Sequence, residues 1–294
     1  MKHFLSLLAT TKNHNRGNAQ AAKRISEIYQ RLKEHPSTEE ANRLILEALQ
    51  LKNTPAQEIQ ELLSQEKQPF RLFCFPYAGG NQWIYEQWQK QLPPFIKVHP
   101  IEYPGRGMKA KESLVPHLPQ LLAHLEQEIS TIDGPFGFFG HSLGAILAFE
   151  LALVMHNKYG KTPKALFLSG SPPPNSPNLS ACHEQSDAEF IATLKTIGGI
   201  PPGLLESKEF TAFFLPILRN DFALLHGYDP QITKAPCPLV IFGSDRDPIV
   251  SVSDIAKWAD WTEEKIELHL MTGDHFFIHE PKQILHHIAK KICP

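Results

Sequence analysis

The chain of 294 residues is 42% hydrophobic and 20% charged, with a net charge of −2, which suits one large soluble domain or a domain plus a small extra. So even a balance leaves no electrostatic footprint for nucleic acid, and no run approaches the ~20 apolar residues of a membrane span. The four cysteines, Cys74, Cys182, Cys237 and Cys293, are scattered without Cys-x-x-Cys spacing, which argues against a zinc site or a disulfide framework and for a reducing compartment.

The N-terminus has a faint signal-peptide look over residues 1–9. Its apolar run is shorter than an h-region and Lys12, His14 and Arg16 follow at once, so it reads as a docking or packing segment of a cytoplasmic protein. Ile25, Ile28, Tyr29 and Leu32 then fall at i, i+3, i+4 and i+7, one apolar helical stripe. Ser37 with Glu40 forms a capping box, and Thr54-Pro55 starts a further helix carrying Ile59, Leu62 and Leu63. Residues 1–66 are therefore expected to be a small helical extension, either packed on the rest or docking a partner. No serine in it stands in a setting for phosphopantetheine attachment. The polar run 65–68 marks the boundary to a main domain over 67–294.

That domain alternates strands and helices. A strand over 70–75 leads into Pro76-Tyr77-Ala78-Gly79-Gly80, a loop without bulk in which the amide of Ala78 or a neighbour can face an oxyanion. A helix is expected over 83–91, and a strand over 96–103 runs into Pro104-Gly105-Arg106-Gly107. A helix over 117–130 carries Leu118, Leu121, Leu122 and Leu125 on one face. The uncharged stretch 136–139 reads as a strand buried on both faces, and 145–155 as a helix. Between them lies Gly140-His141-Ser142-Leu143-Gly144, the spacing of a nucleophile elbow. A strand that turns into a helix this sharply crowds the backbone beside the central residue, and glycine two before and two after relieves it.

A strand over 164–169 precedes a long excursion, 175–234, with helical patches at 187–196, 207–215 and 216–225 and a flexible Gly198–Gly203 break. An insertion of this length reads as a lid over the serine. Strands over 238–242 and 266–271 follow, with helices over 252–259 and 281–292. The pattern predicts an α/β domain with a mostly parallel sheet covered on both faces.

A serine at neutral pH is a weak nucleophile. It needs a base within hydrogen-bond reach, itself oriented by a carboxylate. Ser142, Asp247 and His275 occur in the order Ser, acid, His, each at the C-terminal end of an expected strand. Asp247 is preferred to Asp245 because Asp-Pro-Ile-Val leads directly toward the next helix, and Asp274 reads as a turn residue. His141 reads as packing. His275 and His279 are four apart but lack the glutamate and third ligand of a metal motif, so neither a metal nor a cofactor is expected.

With these residues in place, the chain resembles the type II thioesterases of nonribosomal peptide and polyketide synthesis, free-standing editing enzymes of the α/β-hydrolase fold. The resemblance rests on 75–80, Pro104-Gly105-Arg106, Gly140 to Ala145 with Phe149-Glu150, and Gly273-Asp274-His275-Phe276-Phe277. Inside the insertion it adds Gly198-Gly199-Ile200-Pro201, Leu215 to Arg219, Asp221-Phe222 and Tyr228. It implies Ser142 as nucleophile, His275 as base, Asp247 as orienting acid, and the amides of Ala78 and Leu143 as oxyanion hole. It implies a phosphopantetheine-bearing carrier domain as partner; a monomer is the default expectation. Medium-chain fatty acyl release is the nearest alternative, then a broad carboxylesterase, then a non-catalytic scaffold. The chain departs from the family pattern at Ser171, where an arginine is often found. Its Ser169-Gly170-Ser171-Pro172 lacks the acid that cyclising thioesterase domains carry there.

Overall fold

The structure, a computed structural model, describes residues 68–293 apart from 175, 177, 178, 227, 229 and 231, together with positions 23, 24, 27, 28, 31, 40, 43–45, 47 and 48. The chain divides into two compact units, Met1–Pro69 and Phe70–Pro294. In the first, the described positions are helical, and Ile28, Leu44, Ile45 and Ala48 are buried. Arg24 spans 23 residues to reach Glu47, with 2.6 Å between Nε and Oε1. Ser37 of the expected capping box, and the helix expected from Thr54 through Leu63, lie outside the described residues.

The second unit is built on six strands: β1 (Phe70–Phe75), β2 (Ile96–Pro100), β3 (Phe136–His141), β4 (Leu166–Ser169), β5 (Leu239–Ser244) and β6 (Glu267–Met271). Their order is β2-β1-β3-β4-β5-β6 and every neighbouring pair is parallel. The helices are α1 (Trp88–Gln91), α2 (Leu118–Ile129), α3 (Leu143–Tyr159), α4 (Asp187–Ile197), α5 (Pro202–Leu205), α6 (Lys208–Ala223), α7 (Val252–Ala256) and α8 (Lys282–Ile292).

Parallel crossovers put helices on both faces, so central strands are apolar on both sides. All six residues of β3 are buried. One face packs Phe136 and Phe138 against α2 and α3; the other packs Phe139, Phe167 and Phe242 against Tyr85, Trp88 and the Ile284, Leu285 and Ile288 stripe of α8. Covered by its neighbours as well as by the sheet, α3 is apolar around most of its girth and stops at Gly160, a left-handed C-cap at φ 64°.

Strand order reverses between β1 and β3, and in open parallel sheets the crevice beyond such a reversal is where ligands bind. Phe75 pairs with Gly140 and His141 with Ser169. The loop after β1, the elbow after β3 and the end of β4 therefore open side by side.

Several elements differ in extent from the sequence expectation. The helix expected over 83–91 is a 3₁₀ turn (Gln82–Tyr85) followed by α1, and β2 stops at Pro100. The two helices expected on either side of Pro216 are the single α6. Proline removes one helical hydrogen bond, but Pro216 is on the exposed side of the helix, while Leu215, Ile217 and Leu218 are buried and anchor both halves. With Cys182, Phe190, Leu194 and Leu205, Leu215 and Leu218 give the insertion an apolar cluster of its own.

Candidate active site

Ser142 has φ 55° and ψ −118°, and among the described residues it is the only non-glycine at positive φ. Such a conformation costs about 1–3 kcal/mol and persists only where its surroundings impose it. Here they do. A Cβ on Gly140 would lie 2.0 Å from the Gly144 carbonyl oxygen, and one on Gly144 would lie 2.1 Å from that of Phe75. The Ser142 amide donates to Ser169 O at 2.8 Å, and Ser142 O accepts from the Ala145 amide at 2.9 Å. Strand, turn and helix are thus welded around one serine.

His275, 4% exposed, follows β6. Its Nδ1 lies 2.7 Å from Asp247 Oδ2. A carboxylate accepts, so Nδ1 carries the proton and Nε2 is left with its lone pair. The other Asp247 oxygen, Oδ1, accepts from the amides of Ile249 (2.8 Å) and Val250 (3.0 Å), which fixes the carboxylate plane. Asp245 is exposed on the same loop. Of the two acids weighed from sequence, Asp247 is the one that meets the histidine. Asp274 accepts from the Phe276 amide at 2.8 Å, as a turn residue does.

Ser142, Leu143, Ala78 and His275 line one cavity of about 380 Å³, with Gly170, Ser171, Leu194, Ile197, Phe214, Leu218, Phe222, Ile249 and Val250 among its walls. The walls are chiefly apolar and many come from the insertion. The amides next to the two candidate oxyanion donors are engaged: Gly79 with Asp221 Oδ2 (2.7 Å), Gly80 with Tyr77 O (2.8 Å) and Ser142 with Ser169 O. Those of Ala78 and Leu143 meet no acceptor among the described residues. Ser171 is buried, with its hydroxyl on Pro172 O and its carbonyl accepting from Trp258 Nε1 at 2.8 Å. The position after β4 where the sequence departs from the family pattern thus holds a small residue turned to the next residue's carbonyl.

His141 does more than the packing expected of it. Nε2 lies 2.9 Å from His275 O and Nδ1 lies 2.9 Å from Ser169 Oγ. A carbonyl only accepts, so Nε2 carries the proton and Ser169 donates to Nδ1. Burial, with His275 nearby, holds its pKa well below the usual histidine range, so the ring stays neutral. His141 therefore ties the elbow to the loop that presents His275. A second group not foreseen in any role is Arg106 with Asp221: both side chains are buried and paired in a fork, one arm being Nη2 to Oδ1 at 2.6 Å. Arg106 and Asp221 stand in two motifs that carry the family resemblance, but nothing in the sequence pairs them or gives either a role.

His183, Glu184 and His226 are a cluster of possible metal ligands on the insertion, and none of them lines the cavity. His275 and His279 have different partners: His275 Nδ1 is on Asp247 Oδ2, and His279 Nε2 is 3.1 Å from Tyr77 Oη.

A parallel sheet with a strained serine at the strand reversal and a carboxylate-held histidine on the same cavity defines the α/β-hydrolase class. The thioesterase domain model matches residues 70–292, and the chain belongs to that family. It is similar to the linear gramicidin dehydrogenase LgrE of Brevibacillus parabrevis, at 38% identity over 73% of this chain and 84% of that one. In the present chain the first βα turn reads Pro76-Tyr77-Ala78-Gly79-Gly80 rather than Gly-x-Gly-x-x-Gly, the dinucleotide fingerprint. It is 30% identical to the medium-chain S-acyl fatty acid synthase thioesterase of Rattus norvegicus, over 75% of this chain and 87% of that one. Among solved structures it resembles YbtT, the type II thioesterase of the yersiniabactin NRPS/PKS pathway, with TM-score 0.67 and 28% identity over 76% of this chain and 92% of that one. It is a thioester hydrolase, a type II thioesterase by relationship. Among the described residues no helix is long and apolar enough to cross a membrane.

Proposed function

We propose that the enzyme hydrolyses acyl thioesters on the phosphopantetheine arm of a carrier domain, clearing misprimed or stalled synthases of the nonribosomal peptide and polyketide type. The observation that carries this is Ser142, held at positive φ, on the same apolar cavity as His275 with its Asp247 partner. Ser142 Oγ attacks the thioester carbonyl as His275 Nε2 takes its proton, forming a tetrahedral oxyanion. The amides of Ala78 and Leu143 face that oxygen, each worth up to ~10²–10³-fold in rate. The C–S bond breaks and the thiol leaves with the proton from His275. Water, deprotonated by the same nitrogen, then attacks the acyl–Ser142 carbonyl; the C–Oγ bond breaks as His275 returns the proton to Ser142 Oγ, and a free acid leaves. Asp247 holds the tautomer throughout. Residues 1–66 are proposed to be a separate helical extension, the monomer to be the working form, and the insertion 175–234 to be the lid.

The test is thiol release from an acetyl-loaded carrier protein, with acetyl-coenzyme A as the carrier-free comparison and Ser142→Ala as blank. Fast release that vanishes in Ser142→Ala, with the coenzyme A ester turned over much more slowly, is the expected result. Cleavage of simple esters with the carrier thioester left intact would overturn the carrier assignment. The resemblance to the medium-chain fatty acid synthase thioesterase favours a second reading, release of fatty acyl chains, which a preference for decanoyl over acetyl carriers would establish.

A further inference from the structure

We infer that Asp221, on α6 of the insertion, is a positioning residue for the oxyanion loop: its carboxylate holds the Gly79 amide and so keeps the loop that carries the Ala78 amide in place. The inference rests on the role proposed above for Ala78. The loop makes a tight turn, closed by the Gly80 amide on Tyr77 O at 2.8 Å, with Gly79 at φ +76° in its third position. That is the arrangement of a type II turn, which differs from type I by a flip of the central peptide, here Ala78–Gly79. The Gly79 N–H points to Asp221 Oδ2 at 2.7 Å. An acceptor at that point holds the central peptide in one of its two orientations and with it ψ of Ala78; φ of Ala78 is about −60° in both turn types, so the carboxylate acts on the Ala78 amide by keeping the loop in place.

Two other anchors come from the sheet side. Tyr103 Oη donates to Pro76 O at 2.9 Å, and Arg106 Nη1 reaches Gly80 O at 3.5 Å. Of these three hydrogen bonds, the one accepted by Asp221 comes from the insertion. Arg106, 4% exposed, forks onto the same carboxylate, which is 1% exposed, through Nη1 to Oδ2 and Nη2 to Oδ1. The pairing has a catalytic logic. A bare carboxylate on the cavity wall would repel a developing oxyanion, whereas one neutralised by a guanidinium can hold an amide without that penalty. Leu218, one turn earlier on α6, presses on the same glycine, since a Cβ there would meet its Cδ2 at 2.5 Å. The seat of the insertion and the shape of the oxyanion loop are one contact.

The experiment uses the full chain and p-nitrophenyl acetate, whose acylation of Ser142 is read as the p-nitrophenol burst. The double variant Arg106→Met/Asp221→Leu replaces the buried ion pair by apolar groups of similar size, an exchange that is often neutral or stabilising, but it removes the Gly79 acceptor. The expected result is a melting temperature within a few degrees of the parent. Acylation per titratable serine falls about 10- to 100-fold, with KM within threefold and the same pH–rate limb. Asp221→Asn, which keeps an acceptor oxygen, is expected to acylate faster than the double variant. Parental acylation in the double variant, or Asp221→Asn acylating no faster than it, would overturn the inference and reduce the pair to a structural tie. Because the ester probe needs only Ser142 chemistry, failure of carrier-thioester turnover in the same preparation counts against the proposed substrate alone.

Discussion

Gly144→Ala is the sharpest probe of the elbow. The added Cβ would sit 2.1 Å from Phe75 O and 2.6 Å from Phe75 C, both backbone atoms with no rotamer to relieve the clash. Reaching even 3.0 Å requires α3 and the end of β1 to part by about 0.9 Å. Phe75 leads straight into the 76–80 loop and Gly144 follows Leu143, so the displacement separates the two proposed oxyanion amides and shifts Ser142 from His275. A misplacement near 1 Å costs about 10²-fold in rate, while overpacking costs roughly 1–3 kcal/mol. At ~2–4 °C per kcal/mol for a domain of this size, the melting temperature should fall by roughly 2–12 °C. The assay is kcat/KM on a carrier thioester, normalised by fluorophosphonate titration of Ser142, alongside a thermal melt. Gly203→Ala is the control, since its Cβ meets nothing within 4 Å, and it is expected to leave both readouts unchanged or to stabilise α5 by about 0.4–1 kcal/mol. Gly144→Ala with parental kcat/KM and melting point would refute the reasoning that backbone crowding places the nucleophile.

Asp247→Asn should lower kcat by roughly 10²–10⁴-fold by favouring the wrong His275 tautomer, whereas exposed Asp245→Asn should stay within twofold; steady-state kinetics of the pair decides. His141→Phe keeps a ring in the buried slot but strips the donor from His275 O, and kcat should fall with little change in KM. Because burial depresses the His141 pKa below the ordinary 6.5, its contribution to stability is full above that value and is lost as pH falls through and below it. Urea unfolding from pH 8 to pH 5 should therefore show a shallower acid loss in His141→Phe than in the parent. Glu150 behaves oppositely: burial raises its pKa above 4.5, with a Tyr228 hydrogen bond opposing. The stability held below pH 4.5 is lost as pH rises through the raised folded value. Glu150→Gln should accordingly raise the melting temperature at pH 8 and leave it unchanged at pH 4.

The local features of the enzyme were legible in the chain because they follow from local rules. Glycines at 140 and 144 around Ser142 announce a strand-to-helix turn, uncharged strands announce a sheet buried on both faces, and the order Ser142, Asp247, His275 matches the strand ends that sequence periodicity already placed. Element limits were less legible where tertiary packing outweighs propensity. Pro216 reads as a helix break, yet α6 runs through it because Leu215, Ile217 and Leu218 are buried on both sides of a solvent-facing proline. Distances between remote segments were decided by the tertiary structure alone. Arg106 and Asp221 are 115 residues apart and His141 and His275 are 134 apart. Nothing in either neighbourhood says that a guanidinium must neutralise a carboxylate beside the oxyanion loop, or that an elbow imidazole must hold the carbonyl of His275. Those pairings exist because the parallel sheet reverses its order between β1 and β3 and brings the strand ends to one rim. There, burial leaves each polar group only the partners that the other loops supply.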